Sequence, residues 1–592
     1  NADKLWDNGF TGDGVSIAII DTGVDYTHAD LGGCLGDGCK VIGGYDFINN
    51  DDNPMDDHGH GTHVAATAAG RGTLNGVAPD AKIYAYKVLS AGGSGNFNDI
   101  IASVERAVDP NNDGDLSDHV DIISMSLGGY CGSYSENCGP NDDISIAIDN
   151  AVKNGVVAVI AAGNDGPNKG TIGTPGTSRE AITVGAACKP GQINNMGGYC
   201  PNEIARFSSR GPVEFKDGVL NKPDILAPGV MICAAQWDSA WENSKCLDDE
   251  HTAISGTSMA TPHVAGAAAL LKQAHPDWNP YDIKSALLFS SKDLGFESYE
   301  QGTGFMNVQD ANDEKLFFYP YSFNLGRITD TLPEPVNLTI KNDGDSVIDL
   351  SLSVDNNNIF IEKQQISVEP GSVEGVLVSL KSILGDGYFT EFINISSQTH
   401  SYKLPFSYWM GSQIILDIKS GIEPSTSHIA ITNENITYAD TQFNVVTGKS
   451  FYVKKGNYVV YALGDAYSND VEYILMDKIK VEQNSKVSVT LDINDARPFT
   501  IKAEALDGTK LLLYQWYKGY NVFTEDGCYL TNDLLDPIYG DRTVYISNKP
   551  EIDATVDIIF KYEGVPSDKE RGPEDFSYSG RYNWRTNCDW YD

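Results

Sequence analysis

Nowhere in this chain of 592 residues do about 18 or more apolar residues run together, so no segment is expected to cross a membrane as a helix. Basic side chains are scarce: 42 lysines and arginines stand against 82 aspartates and glutamates, a net charge of −40. So acidic a surface repels nucleic acid and anionic lipid, and neither is expected as a partner. It favours solubility and cation binding; salt adaptation is one reading of the excess, although the apolar content of 41% is ordinary. No His-Glu-x-x-His occurs, which argues against a zinc hydrolase built on His58, His60 and His63. No Cys-x-x-Cys occurs either, so the cysteines do not read as a zinc site. Internal repeats are lacking as well.

Four short motifs carry the chemistry. Gly256-Thr257-Ser258-Met259-Ala260 sets a serine at the mouth of an Ala-rich apolar helix, where free N–H groups and the helix dipole favour a developing anion. A hydroxyl is a poor nucleophile until a base takes its proton. His60, in Asp57-His58-Gly59-His60-Gly61-Thr62-His63, is the best base. Asp21 ends the apolar run Val15 to Ile20, a place suited to a buried acid that orients an imidazole, and Asn164 ends another, Val156 to Ala162, with an amide able to donate to an oxyanion. A lone Asp after a strand is usually a turn residue and a lone Gly-Thr-Ser usually a loop. Finding all four together argues against coincidence.

Asp, His, Asn and Ser in this order, each on its own motif, resemble the subtilisin-like serine proteases over roughly residues 1–310, with the larger pyrolysin-like and lactocepin-like members nearest in organisation. The resemblance implies that Asp21 holds the imidazole, His60 acts as general base and then acid, and Ser258 attacks the scissile carbonyl. Asn164 and the Ser258 N–H would bind the oxyanion. It also implies polypeptide substrates and a pro-segment that inhibits the enzyme before maturation. Ser126-Leu127-Gly128 and Ala161-Ala162-Gly163 match the family's pocket walls, Gly173 the floor of the primary pocket, and Leu89 to Gly95, with Gly93 and Gly95, the edge that pairs with an extended substrate. With no side chain at the floor, a large apolar residue is expected before the cut, and Asp165 adds tolerance for a basic one. Two other classes compete. A protease-fold adhesin or scaffold would not need intact catalytic residues; a serine esterase would favour a Gly-x-Ser-x-Gly elbow, which Ser258 lacks.

The sequence departs from the family in two places. Ala66 stands where glycine is usual, and the link Gly70 to Pro79 is too short for the usual calcium loop. A different calcium candidate is Asp109-Pro110-Asn111-Asn112-Asp113-Gly114-Asp115, with oxygens at alternate positions and glycine at the sixth, as in an EF-hand. The closing Glu is missing, so Asp118 or Asp121 would complete the shell. The acidic run Asp51 to Asp57 reads as a solvated loop.

The fold expected is α/β, a parallel-sheet catalytic domain over 1–312, followed by all-β C-terminal domains. Helices are expected at Asn98 to Val108 and Asp143 to Asn154. Beyond Val308 no helix is expected; residues 313–410 read as a β-sandwich of fibronectin-type-III kind, and 411–592 as one or two further β domains, with Phe451 to Val460 as a strand pair.

Ten cysteines fall mostly in neighbouring pairs: Cys34 with Cys39, Cys131 with Cys138, Cys188 with Cys200, Cys233 with Cys246, leaving Cys528 and Cys588. An even count argues for five disulfides and an oxidising, extracellular setting. Sequons at Asn337, Asn394 and Asn435 point the same way. The start at Asn1, with no apolar leader, is expected to follow removal of signal and pro-segments. The number of subunits is not set by any feature of the sequence.

Overall fold

The computed structural model of the chain describes residues 1–129, 139–189, 203–215, 218–383, 385 and 387–419, and beyond these chiefly the strands of the C-terminal region. The apolar runs form β1 (Ser16–Asp21), β2 (Val41–Asp46), β3 (Lys82–Lys87), β4 (Ile122–Met125), β5 (Val157–Ala161) and β6 (Ile182–Ala187). A hairpin of β7 (Val213–Phe215) and β8 (Gly218–Leu220) precedes β9 (Ile225–Pro228), and β10 (Ile232–Ala235) pairs antiparallel with β11 (His251–Ile254). Seven strands make one sheet in the order β2-β3-β1-β4-β5-β6-β9, every neighbour parallel. β4 and β5 are buried along their whole length, as a sheet covered on both faces requires.

Eight helices are described: α1 (Ala2–Asp7), α2 (His60–Ala69), α3 (Phe97–Val108), α4 (Asp143–Lys153), α5 (Thr257–Ala274), α6 (Pro280–Phe289), α7 (Ser298–Gln301) and α8 (Val308–Asp313). α3 begins one residue earlier than the sequence suggests because the Asn96 side chain accepts the Asp99 N–H at 3.0 Å and so fixes the first turn. Asp142 does the same for α4 by accepting the Ser145 N–H at 2.7 Å. α8 corrects the expectation of no helix beyond Val308: Asn307 caps it, and Val308 and Ala311 are buried. α5 is apolar nearly all round and buried through most of its length, as its Ala-rich sequence demands. Gly266 lets it pass close to its neighbours, since a Cβ there would lie 2.6 Å from Val77 Cβ and 2.8 Å from Ala68 O.

The chain divides into two compact units. The first holds the α/β fold and the body of a sandwich. One of its sheets runs Leu316–Tyr319, Val336–Asn342, Val373–Leu380, Ile359–Ile361; the other runs Phe323–Ile328, Ser401–Met410, Gly387–Ser396, Ile348–Val354, Gln365–Val368. Alternate residues such as Leu338, Ile340, Val376 and Val378 fill the space between them. The second unit, 410–592 with two short segments from the first sandwich, is built of strands. Ile414, Leu416, Phe451, Val460 and Val489 share one core there. Phe451 to Val460 does contain two strands, but they do not pair with each other. Lys449–Val453 joins Ser412–Lys419, whereas Gly456–Ala466 joins Thr426–Asn433 in another sheet. The chain changes sheets at Lys454-Lys455-Gly456, where Gly456 has φ +159°.

Candidate active site

The carboxyl ends of β1, β4 and β5 and the first turns of α2 and α5 open on one cleft of ≈ 680 Å³. This is where an open α/β sheet places ligands. Asp21, the last residue of β1, is fully buried. Its Oδ1 accepts the Nδ1–H of His60 at 2.7 Å and the Thr22 N–H at 2.8 Å. The approach depends on Gly61, where a Cβ would lie 2.1 Å from Gly23 O. Burial pulls the His60 imidazole towards its neutral form, but the Asp21 charge and hydrogen bond, with Asp56 behind them, outweigh it and leave the pKa raised above 6.5.

Ser258 is the second residue of α5, whose N-cap, Gly256, has no side chain to satisfy the first N–H groups. The Ser258 hydroxyl donates to Ser126 O at 3.1 Å, and the Ser126 hydroxyl to Ser258 O at 2.7 Å. No hydrogen bond joins Ser258 to His60, although both line the cleft. Such bonds commonly form only once substrate is in place. Asn164 Oδ1 accepts from the Thr257 N–H at 2.9 Å and hydroxyl at 3.1 Å. With its oxygen held in this way, the amide nitrogen is the end left for a ligand beside Ser258.

Ser126, Leu127, Gly128, Gly163, Gly173, Gly93 and Gly95 all line the cleft. Ala162 does not: it is fully buried, and Ala161 and Gly163 on either side form the wall. Gly129 and Thr174 exchange backbone hydrogen bonds at 2.8 and 3.0 Å, tying the two walls together. Sequence reading missed Phe97, Ile100 and Ile144, which with Leu89 form the apolar end of the cleft. Phe97 is 58% exposed, and an aromatic residue opening an otherwise amphipathic helix was the available signal.

It also missed Asp56. The run Asp51 to Asp57 was expected to be solvated throughout, yet Asp56 is buried. Its Oδ1 accepts the N–H groups of His58 and Gly59 and the Thr22 hydroxyl, each at 2.9 Å, and its Oδ2 accepts the Thr62 N–H at 2.9 Å. A carboxylate there satisfies the amino end of α2. Asp57 pairs with the buried Lys87 at 2.6 Å, and Lys87 also donates to Thr22 O and Leu89 O. Burial lowers His63 and His263 to about 4, so both are neutral donors: Nε2–H of His63 to Ile232 O at 2.9 Å and Thr252 O at 3.2 Å, Nδ1–H of His263 to Met259 O at 2.8 Å.

The Asp109 loop lies apart from the cleft, exposed from Asn111 to Asp118. Asp109 accepts the Asp113 and Gly114 N–H groups, Asn111 that of Asp113, Asp113 that of Asp115 and Asp115 that of Ser117. Gly114, with φ +85°, makes the sharp turn. Hard oxygen donors suit calcium, and several remain unused in the loop. However, among the described residues no three acidic, histidine or cysteine side chains are gathered on one point. Cys34–Cys39 and Cys233–Cys246 are disulfides, and Cys188 is in a disulfide too. Cys528 lies in the strand Gly527–Tyr529; Cys131, Cys138, Cys200 and Cys588 fall outside the described residues, as does Asn435. Asn337 is exposed and Asn394 half-buried. Among the described residues no helix is long and apolar enough to span a membrane.

Residues 12–305 match the model of the subtilase family. The chain is 40% identical over 286 residues to serine protease AprX of Bacillus subtilis, covering 47% of this chain and 61% of that protein. It is 32% identical over 467 residues to the minor extracellular protease Vpr of the same organism, covering 55% and 54%. It thus spans little more than half the length of these two relatives. Against subtilisin of Bacillus pumilus it is 36% identical over 316 residues, 52% of this chain and 95% of that enzyme. The match to nearly the whole of that smaller relative, together with the geometry at the ends of β1 and β5 and the starts of α2 and α5, places the chain in the subtilase family.

Proposed function

We propose that the chain is a secreted serine endopeptidase, with the hydrogen-bonded Asp21–His60 pair facing Ser258 across one cleft as the observation that carries the reading. Asp21 holds the imidazole tautomer that leaves Nε2 free. His60 takes the proton of Ser258 as the hydroxyl attacks the carbonyl, then delivers it to the departing amine. The Asn164 amide and the Ser258 N–H receive the oxyanion. An extended polypeptide lies along Gly93 to Gly95, its residue before the cut over Gly173. A large apolar side chain is preferred there, with broad tolerance elsewhere. The pro-segment is the first occupant of the cleft. The boundaries 1–312, 313–410 and 411–592 are proposed as its domains, and glycosylation at Asn337 and Asn394 as a mark of export.

Calcium is the ion the Asp109 loop would take. Asp109, Asn111, Asp113, Asp115 and Asp118 would supply oxygens, and the ion would stiffen the link between α3 and β4 without entering the reaction. The catalytic reading is tested with a phosphonyl fluoride: the Ser258 oxygen bonds to phosphorus and fluoride leaves. Peptide mapping is expected to find the adduct on Ser258, dependent on His60; an adduct elsewhere, or none while the chain cleaves protein, overturns the assignment.

A further inference from the structure

The loop between β10 and β11 has no part in the catalytic motifs, yet it packs on the residues just before His60. Gly59, the N-cap of α2, has φ +100°. The space a Cβ would take there is filled by Ala240 Cβ at 3.0 Å, a Trp241 ring carbon at 3.2 Å and Trp237 Cβ at 3.4 Å. Trp241 also meets the His58 ring edge-on, centroids 5.6 Å apart, and His58 meets His60 at 6.4 Å. From the other side Asp56 grips the N–H groups of His58 and Gly59. The peptide leading into His60 is therefore clamped between a buried carboxylate and a tryptophan.

Trp241 is held for this at a cost. It sits at φ +55°, ψ 38°, a left-handed conformation that a bulky side chain adopts only where its surroundings over-determine it. Those surroundings are specific. The Thr252 hydroxyl shares its one hydrogen between Trp241 O at 3.3 Å and Ser244 O at 3.2 Å, while the Thr252 carbonyl accepts from His63, one turn along α2 from His60. The disulfide Cys233–Cys246 closes the loop across its base. α2 is thus gripped at its first residues by the tip of the loop and at His63 by the strands.

His60 makes its one side-chain hydrogen bond through Nδ1 to Asp21, so the direction of Nε2 depends on where the backbone at Gly59 puts the ring. We propose that Trp241 is a positioning residue for His60, the tip of a disulfide-closed brace that fixes the general base against Ser258. The proposal rests on the triad reading above. It places Trp241 outside the cleft lining, acting through His58 and Gly59 rather than on substrate.

The test uses the full chain and a short peptide p-nitroanilide with Phe before the scissile bond. Trp241→Ala is expected to lower kcat about 10- to 100-fold with KM changed by no more than about two-fold, the signature of lost alignment rather than lost binding. Trp241→Phe should recover most of the rate. An unchanged kcat in folded Trp241→Ala, or an effect wholly in KM, overturns the proposal. If Trp241→Ala does not fold, Trp241→Leu replaces it, and a Leu variant as fast as the unmodified chain is equally fatal. The imidazole is also read without turnover: in Ser258→Ala, the low-field proton resonance of the His60–Asp21 bond at acid pH should broaden or vanish on adding Trp241→Ala and persist with Trp241→Phe. Persistence in both contradicts the brace, whatever the fate of the triad reading.

Discussion

At the cleft, the proposed chemistry rests on a handful of atoms: Asp21, His60, Asn164 and Ser258 are each assigned a role that no other side chain at the same place would fill. The sandwich in the same compact unit meets the α/β fold quite differently. Phe317 packs edge-on to Trp278 at 5.0 Å, the Tyr321 hydroxyl donates to Tyr281 O at 3.1 Å, and the Lys284 ammonium lies 4.6 Å from the Tyr321 ring centre. Lys341 pairs with Asp282 at 3.2 Å, Arg327 with Glu214 at 2.9 Å and Lys403 with Asp293 at 2.5 Å. Most of these partners sit on or beside α6. The contrast teaches that the proposed function is concentrated and the adhesion dispersed: one substitution is expected to silence the cleft, whereas the interface is expected to lose stability contact by contact.

The sharpest way to break that contrast is His60→Ala, expected to reduce peptide hydrolysis by at least about 10⁴-fold with the melting temperature little changed. A residual rate within tenfold of the unmodified chain would mean the base lies elsewhere. Next, Asn164→Ala should cost ~10²–10³ in kcat, while Thr257→Val, which removes a hydroxyl that donates to the Asn164 oxygen and accepts the Gly163 N–H but keeps the backbone N–H that also holds that oxygen, should cost less. Equal losses would show that Asn164 acts as scaffold.

The reach of α6 comes third. Trp278→Ala is expected to destabilise by about 3–5 kcal/mol and to leave the α/β fold and the sandwich melting in one transition, read by calorimetry. Two separated transitions would make the sandwich an independent appendage. Activity gives a smaller but cleaner mark. Because Asp21 raises the His60 pKa, kcat/KM should climb with pH through a midpoint above 6.5, the imidazolium having to lose its proton before it can act. A midpoint below 6.5 would mean burial outweighs the Asp21 charge. Smallest of all, chelation should lower the melting temperature of the unit holding the Asp109 loop by a few degrees, about the shift a 1 kcal/mol loss gives. An identical curve in excess chelator argues against calcium there.

This difference in character also explains what the sequence disclosed. The four positions proposed as catalytic stood out in the sequence because the role proposed for each needs one residue type near the end of a strand or the start of a helix. The parallel sheet was legible too, since strands buried on both faces are unbroken apolar runs. Asp56 was hidden among like charges, and only the folded chain separates a buried hub from its solvated neighbours. Of the wall segment Ala161-Ala162-Gly163, only Ala162 does not line the cleft, and the sequence does not show which of three small residues in a row faces away. Lys454 to Gly456 reads as a tight turn, but strand sequences do not say which sheet they will join. The loop from Gln236 to Glu250 carries no motif, and its bearing on His60 is visible only where Trp241 meets Gly59.

Casein hydrolysis by the intact chain beside Ser258→Ala, at equal concentration and near neutral pH with calcium, tests the central claim most directly. The account predicts cleavage by the first and none above background by the second. Cleavage by both, or by neither, would contradict it.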